Sequence, residues 1–145
     1  MARPTQVDPR SMRVAAAITT VVLALVLVTP PPVSIALLIA QTAVFAISAL
    51  VSLKASPYAV VYARLVRPRI GPPAELEDAR PPRFAQAVGL GFAVLALIGF
   101  GLGAPDLGLL AIAFALVAAL LNASIGLCLG CELYLALHRL RLVRA

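Results

Sequence analysis

The sequence predicts an all-α membrane protein whose four transmembrane helices form two tandem hairpins, and three observations lead there. The chain of 145 residues is 62% apolar and 12% charged, with mean hydropathy +1.02. Ordinary soluble domains hold roughly 45 to 50% apolar and about 25% charged residues. Four uncharged runs approach the ~20 residues that a helix rising about 1.5 Å per residue needs to cross roughly 30 Å of hydrocarbon. Every basic residue lies outside those runs. Lipid is therefore the solvent for most of the chain, which excludes a soluble enzyme core and a disordered chain. Two cysteines likewise exclude a disulfide-stapled secreted fold.

The elements follow in order. Residues 1–13 form a basic N-terminal segment containing Arg3, Arg10 and Arg13. The first span, Val14 to Thr29, stops at Pro30-Pro31-Pro32; another full span follows in place of a cleavage site, so it is a retained helix and not a signal peptide. The second span, Ser34 to Leu53, is closed by Lys54 and completes a hairpin over residues 14–53. Residues 54–83 are a proline-rich connector. Within it Tyr58, Tyr62, Leu65 and Val66 can share one side of a short interfacial helix, with Arg64 and Arg67 at the headgroups. Its acidic cluster, Glu75, Glu77 and Asp78, reads as a solvated loop or as a docking site for a cytosolic partner. The third span, Phe84 to Gly103, turns at Ala104-Pro105-Asp106 into the fourth, Leu107 to Leu127, giving a second hairpin over residues 84–127. Residues 128–145 carry Cys-x-x-Cys and a basic, second interfacial helix. All twelve prolines fall outside the spans, as helices in lipid require.

Charge gives the orientation. The twelve basic residues, completed by Arg69, Arg80, Arg83, Arg139, Arg141 and Arg144, belong to the two ends and the connector, and neither hairpin turn holds one. The positive-inside rule then places both termini and the connector in the cytoplasm, with the spans in the cytoplasmic (inner) membrane. The net charge of +6 reads as orientation and contact with anionic headgroups, not as nucleic-acid binding.

The hairpins also resemble each other. Val22-Leu23-Ala24-Leu25 lies over the identical Val94-Leu95-Ala96-Leu97 at an offset of 72; Ser48 lies over Ser124 and Tyr58 over Tyr134 at 76. Two spans per copy make this a parallel repeat, related by an axis near the membrane normal. Only the second copy carries thiols: Cys128-Leu129-Gly130-Cys131 lies over Ser52-Leu53-Lys54-Ala55.

That thiol pair is the one motif with a mechanism, since two cysteines three residues apart can close a disulfide. On one continuous helix Ser124, Cys128 and Cys131 share a face, and Gly126 and Gly130 admit a close backbone. A reducing cytosol makes any disulfide there transient. Packing of two small apolar side chains is the plainer alternative. His138, seven residues beyond Cys131, is too distant along a straight helix to share a metal ion with it, and no metal or cofactor is assigned. Gln41, Gln86 and Asn122 are amides that should hydrogen-bond between helices. No ionised residue lies inside a span, which argues against an ion pump. Alanines 111, 115, 119 and 123 form a small-residue stripe for helix packing, while Gly99 and Gly103 read as a flexible helix end.

Several stretches carry a family resemblance: Val7-Asp8-Pro9-Arg10, Ser56-Pro57-Tyr58, Arg67-Pro68-Arg69-Ile70-Gly71-Pro72-Pro73, Pro82-Arg83-Phe84-Ala85-Gln86 and, most specifically, Leu121-Asn122-Ala123-Ser124-Ile125-Gly126-Leu127-Cys128-Leu129-Gly130-Cys131. With these the chain resembles a bacterial membrane-protein family, domain-of-unknown-function family 4395. The resemblance implies a small multi-pass membrane protein with a thiol pair, associated with thioredoxin-like or sulfurtransferase proteins.

The expected function is a thiol-redox or sulfur relay in which Cys128 and Cys131 serve a soluble partner, supported by Asn122, Ser124, Gly126 and Gly130. Two alternatives stand beside it: a non-enzymatic structural or assembly subunit, and a transporter of a small solute or sulfur compound. The sequence leaves the oligomeric state, homo- or hetero-, open.

Overall fold

A computed structural model describes residues 5–141; Arg3 and Arg144 lie outside them. A short strand, β1 (Gln6–Val7), leads into helix α1 (Pro9–Val28). This helix starts at Pro9 and not at Val14, because Asp8 caps it: the Asp8 carboxylate accepts the Arg10 backbone N–H at 2.9 Å, and proline at the first helical position loses no hydrogen bond. The uncharged turn at Pro30–Pro32 follows, with a cis bond between Pro31 and Pro32. Helix α2 (Val33–Ala46) runs on as a wider π-helical turn, Ile47–Val51.

The connector is more ordered than a solvated loop. After a 3-10 turn at Leu53–Ala55, helical backbone continues through α3 (Pro57–Val61), a π-helical turn at Tyr62–Val66 and α4 (Arg67–Ile70). Tyr62 is buried, whereas Leu65 is exposed, so the four residues expected on one side of this segment divide between two. A second strand, β2 (Glu77–Asp78), pairs antiparallel with β1, Val7 opposite Glu77 and Gln6 opposite Asp78. Two-residue strands carry no alternating pattern, which is why an all-helical reading missed them.

The second half is helical throughout its three elements. Helix α5 (Arg80–Gly101) starts ahead of the expected Phe84, with Pro81 and Pro82 in its first turn. Helix α6 (Pro105–Ile125) and helix α7 (Leu129–Arg139) complete the chain. Gly103 makes the α5–α6 turn at positive φ. Gly99 is no flexible end: a Cβ there would lie 2.9 Å from the Gly108 nitrogen, so the two helices are in backbone contact.

Four helices, α1, α2 with its π-helical turn, α5 and α6, are long and apolar enough to cross a membrane. α1 packs on α2 and α6, and α5 packs on α6 and α2, which closes the spans into a ring. Each contributes to one core: Leu23, Leu38, Ala96 and Ile112 are all at most 1% exposed. Ala111 and Ala115 of the alanine stripe are buried in it. Only 17 to 28% of each apolar window is buried, so most of every span faces outwards, as lipid-facing helices do. Gln41 has no exposed surface; its amide N–H donates to the Thr19 hydroxyl at 3.4 Å, and its carbonyl accepts the Tyr58 hydroxyl.

Candidate functional site

Cys128 and Cys131 are joined in a disulfide with their Cα atoms 5.2 Å apart. They do not share a helix face with Ser124. Helix α6 ends at Ile125 because Gly126 adopts a left-handed conformation, its N–H donating to the Asn122 carbonyl at 3.1 Å while the Leu127 N–H reaches the Leu121 carbonyl at 3.3 Å. This glycine cap satisfies the last carbonyls and turns the chain. Cys128 then caps α7: its sulfur accepts the Cys131 backbone N–H at 3.2 Å. The cystine thus stands at the positive end of a helix dipole, a position that favours negative charge on the Cys128 sulfur whenever the bond is open.

The other expected residues divide. Ser124 is exposed and its hydroxyl donates to the Leu120 carbonyl, away from the sulfurs. Gly130 is in place, but the backbone it admits is this chain's own: a Cβ would fall 2.5 Å from the Ala85 Cβ, so α7 lies tightly on α5. Asn122 and Cys128 line both of two cavities, of about 280 and 220 Å³, that share this region. The smaller also meets Cys131, Gly126, Arg13 and Glu77. The larger runs between the spans past Thr19, Phe92 and Phe114. Gln86 lines both as well. Contrary to expectation, neither the Gln86 nor the Asn122 amide hydrogen-bonds to another described residue, since both face the cavities and not a neighbouring helix. His138 stacks on Tyr134, with ring centroids 6.2 Å apart and an interplanar angle of 6°.

Arginines finish the site's end of the bundle. Arg13 donates to the Ala123 and Ser124 carbonyls at 3.3 and 3.1 Å, and Arg83 to the Ala49 and Leu50 carbonyls at 2.6 and 3.3 Å. Each places a cation where the helix dipole is negative and open carbonyls need donors. Asp8 ties the N-terminal end together, pairing with Arg10 at 3.0 Å and accepting the Tyr62 hydroxyl. Burial opposes ionisation of Asp8, but the bonds from Arg10 and Tyr62 prevail and hold its carboxyl below the ordinary carboxylate range. Burial and the bond to Asp8 push the Tyr62 hydroxyl up. Apart from the local Asp8–Arg10 pair, these pairings had no signal in sequence spacing, because each joins residues distant along the chain.

Four helices of membrane-spanning length and apolarity packed around one core define the class, a small multi-pass membrane protein. The chain belongs to the family described as Domain of unknown function (DUF4395), whose model matches residues 7–139. No match was found among curated proteins or solved structures.

Proposed function

We propose that the protein is a membrane-bound thiol–disulfide exchange component in which Cys128 and Cys131 cycle between disulfide and dithiol with a soluble thioredoxin-like or sulfurtransferase partner. The observation that carries this reading is the cystine's place: partly exposed, at the N-terminus of α7, on the wall of a cleft. A partner thiolate attacks the Cys128 sulfur, the bond to Cys131 breaks, and Cys131 leaves as a thiolate that takes up a proton. The partner's second thiolate then attacks the mixed disulfide and releases Cys128. The partner loses two electrons and this chain gains them.

The same proposal sets the topology. The disulfide end faces the cytoplasm with both termini, because the described basic residues gather there and the turns at Pro30–Pro32 and Ala104 hold none. α3, α4 and α7 then lie at the interface. The halves form a parallel repeat: Asp8 and Asp78, Arg10 and Arg80, and Arg13 and Arg83 are each 70 positions apart, as are the paired residues Val7 and Glu77.

The test is a trap. In cells carrying Cys131→Ser, Cys128 should hold its partner in a mixed disulfide that survives mild-detergent purification and dissolves in reductant. The structural-subunit reading has one observation in its favour, that the cystine also ties the N-cap of α7 to its first turn. A double Cys-to-Ser variant that traps nothing and complements a deletion fully would establish that reading instead.

A further inference from the structure

A disulfide facing a reducing cytosol persists only if something re-forms it, and the bundle offers a place for the oxidant. The larger cavity, about 280 Å³, is close to the roughly 300 Å³ at which small-molecule sites begin. Cys128 forms part of its wall at the polar end, with the amides of Gln86 and Asn122 beside it. Towards the apolar end it is lined by Phe92 and Phe114, whose rings stack at 6.2 Å. Phe114 is 58% exposed, so this end opens sideways to lipid and not to water. Two accessible amides with no partner among the described residues, set in a mostly apolar wall, suit a ligand with hydrogen-bonding oxygens, and the lateral mouth suits one that dissolves in the bilayer.

We propose that this cavity binds a lipid-soluble quinone, which reoxidises the Cys128–Cys131 dithiol. The proposal rests on the thiol-exchange reading above. In the step, the two thiols give up two electrons and two protons and the sulfur–sulfur bond forms. The quinone's two carbonyl oxygens become the hydroxyls of the hydroquinone. Gln86 and Asn122 orient the ring by donating to a carbonyl; the isoprenoid tail leaves past Phe114.

The experiment uses the full chain in nanodiscs, reduced and kept anaerobic, with a fully ring-substituted benzoquinone bearing a short alkyl tail. Such a ring has no free position for thiol addition. Expected are loss of both free thiols and formation of one hydroquinone per disulfide. Ala118→Trp, which fills the cavity from α6, should slow this reaction by at least about tenfold while leaving disulfide reduction by dithiothreitol within about twofold. Gln86→Leu serves as a second variant should the tryptophan unfold the bundle, with the same expectation. If dithiothreitol opens the disulfide but the quinone never closes it, or closes it as fast in the variants as in the unsubstituted chain, the quinone site is refuted and thiol exchange stands. Cysteines that neither open nor close refute both.

Discussion

Gly130→Ala tests the contact that positions the cystine. The added Cβ would lie 2.5 Å from the Ala85 Cβ and 2.6 Å from its Cα. Carbon atoms prefer separations of about 3.5 to 4.0 Å, so α7 must retreat from α5 by roughly 1 Å. Neither neighbouring atom is the end of a flexible side chain, and the strain cannot be relieved by a rotamer change. Overpacking of this kind costs about 1 to 3 kcal/mol, or roughly 2 to 12 °C in Tm for a chain of this size. Gly91 is the internal control: a Cβ there meets nothing within 4 Å, and alanine in mid-helix should leave Tm unchanged or raise it slightly. The assay is thermal unfolding in one detergent, followed by helical circular dichroism and by release of the cysteines to a thiol reagent under reducing conditions. Gly130→Ala should unfold earlier and expose its thiols faster. Equal Tm values for the two variants would refute the packing of α7 on α5 and with it the placement of Cys128 at the cleft.

Other consequences concern the polar contacts. Asp8→Ala removes the α1 cap and the acceptor of a buried tyrosine hydroxyl, and should cost about 1 to 3 kcal/mol of unfolding free energy. Because the folded Asp8 carboxyl lies below its unfolded value, its contribution is present above about pH 4 and lost as pH falls through the folded value; acid titration of Tm should therefore show a drop that Asp8→Asn lacks. Gln41→Leu strips the Thr19 and Tyr58 hydroxyls of their shared partner and should cost about 1 kcal/mol by chemical denaturation in detergent. Arg83→Gln uncaps the Ala49 and Leu50 carbonyls, which should raise amide exchange at the end of α2 and leave α6 unchanged.

Hydropathy made the four spans and both hairpin turns legible, since lipid imposes a simple requirement of length and apolarity. It could not locate the helix starts: Arg10 and Arg13 read as flanking charges, yet the first two turns of α1 carry both because Asp8 neutralises one and the end of α6 accepts the other. The break at Gly126 had a signal, a glycine two residues before the cysteine pair, but apolar residues on both sides disguised it as one helix. Gln41 behaved as a buried amide should, whereas Gln86 and Asn122 did not. Chemistry alone gives these amides the same preference, and only the bundle's shape decides whether a neighbour or a cavity meets them. The cysteine motif was evident at once; its position as a helix cap was not.

The central claim is that Cys128 and Cys131 form a reversible redox couple, and equilibration of the purified protein in a graded series of oxidised and reduced dithiothreitol, with quantitative thiol alkylation, tests it most directly. The account predicts one reversible two-electron transition, identical whether approached from the oxidised or the reduced side, with the helical signal unchanged across it. A disulfide that opens only when the bundle unfolds, or that never re-forms, would contradict it.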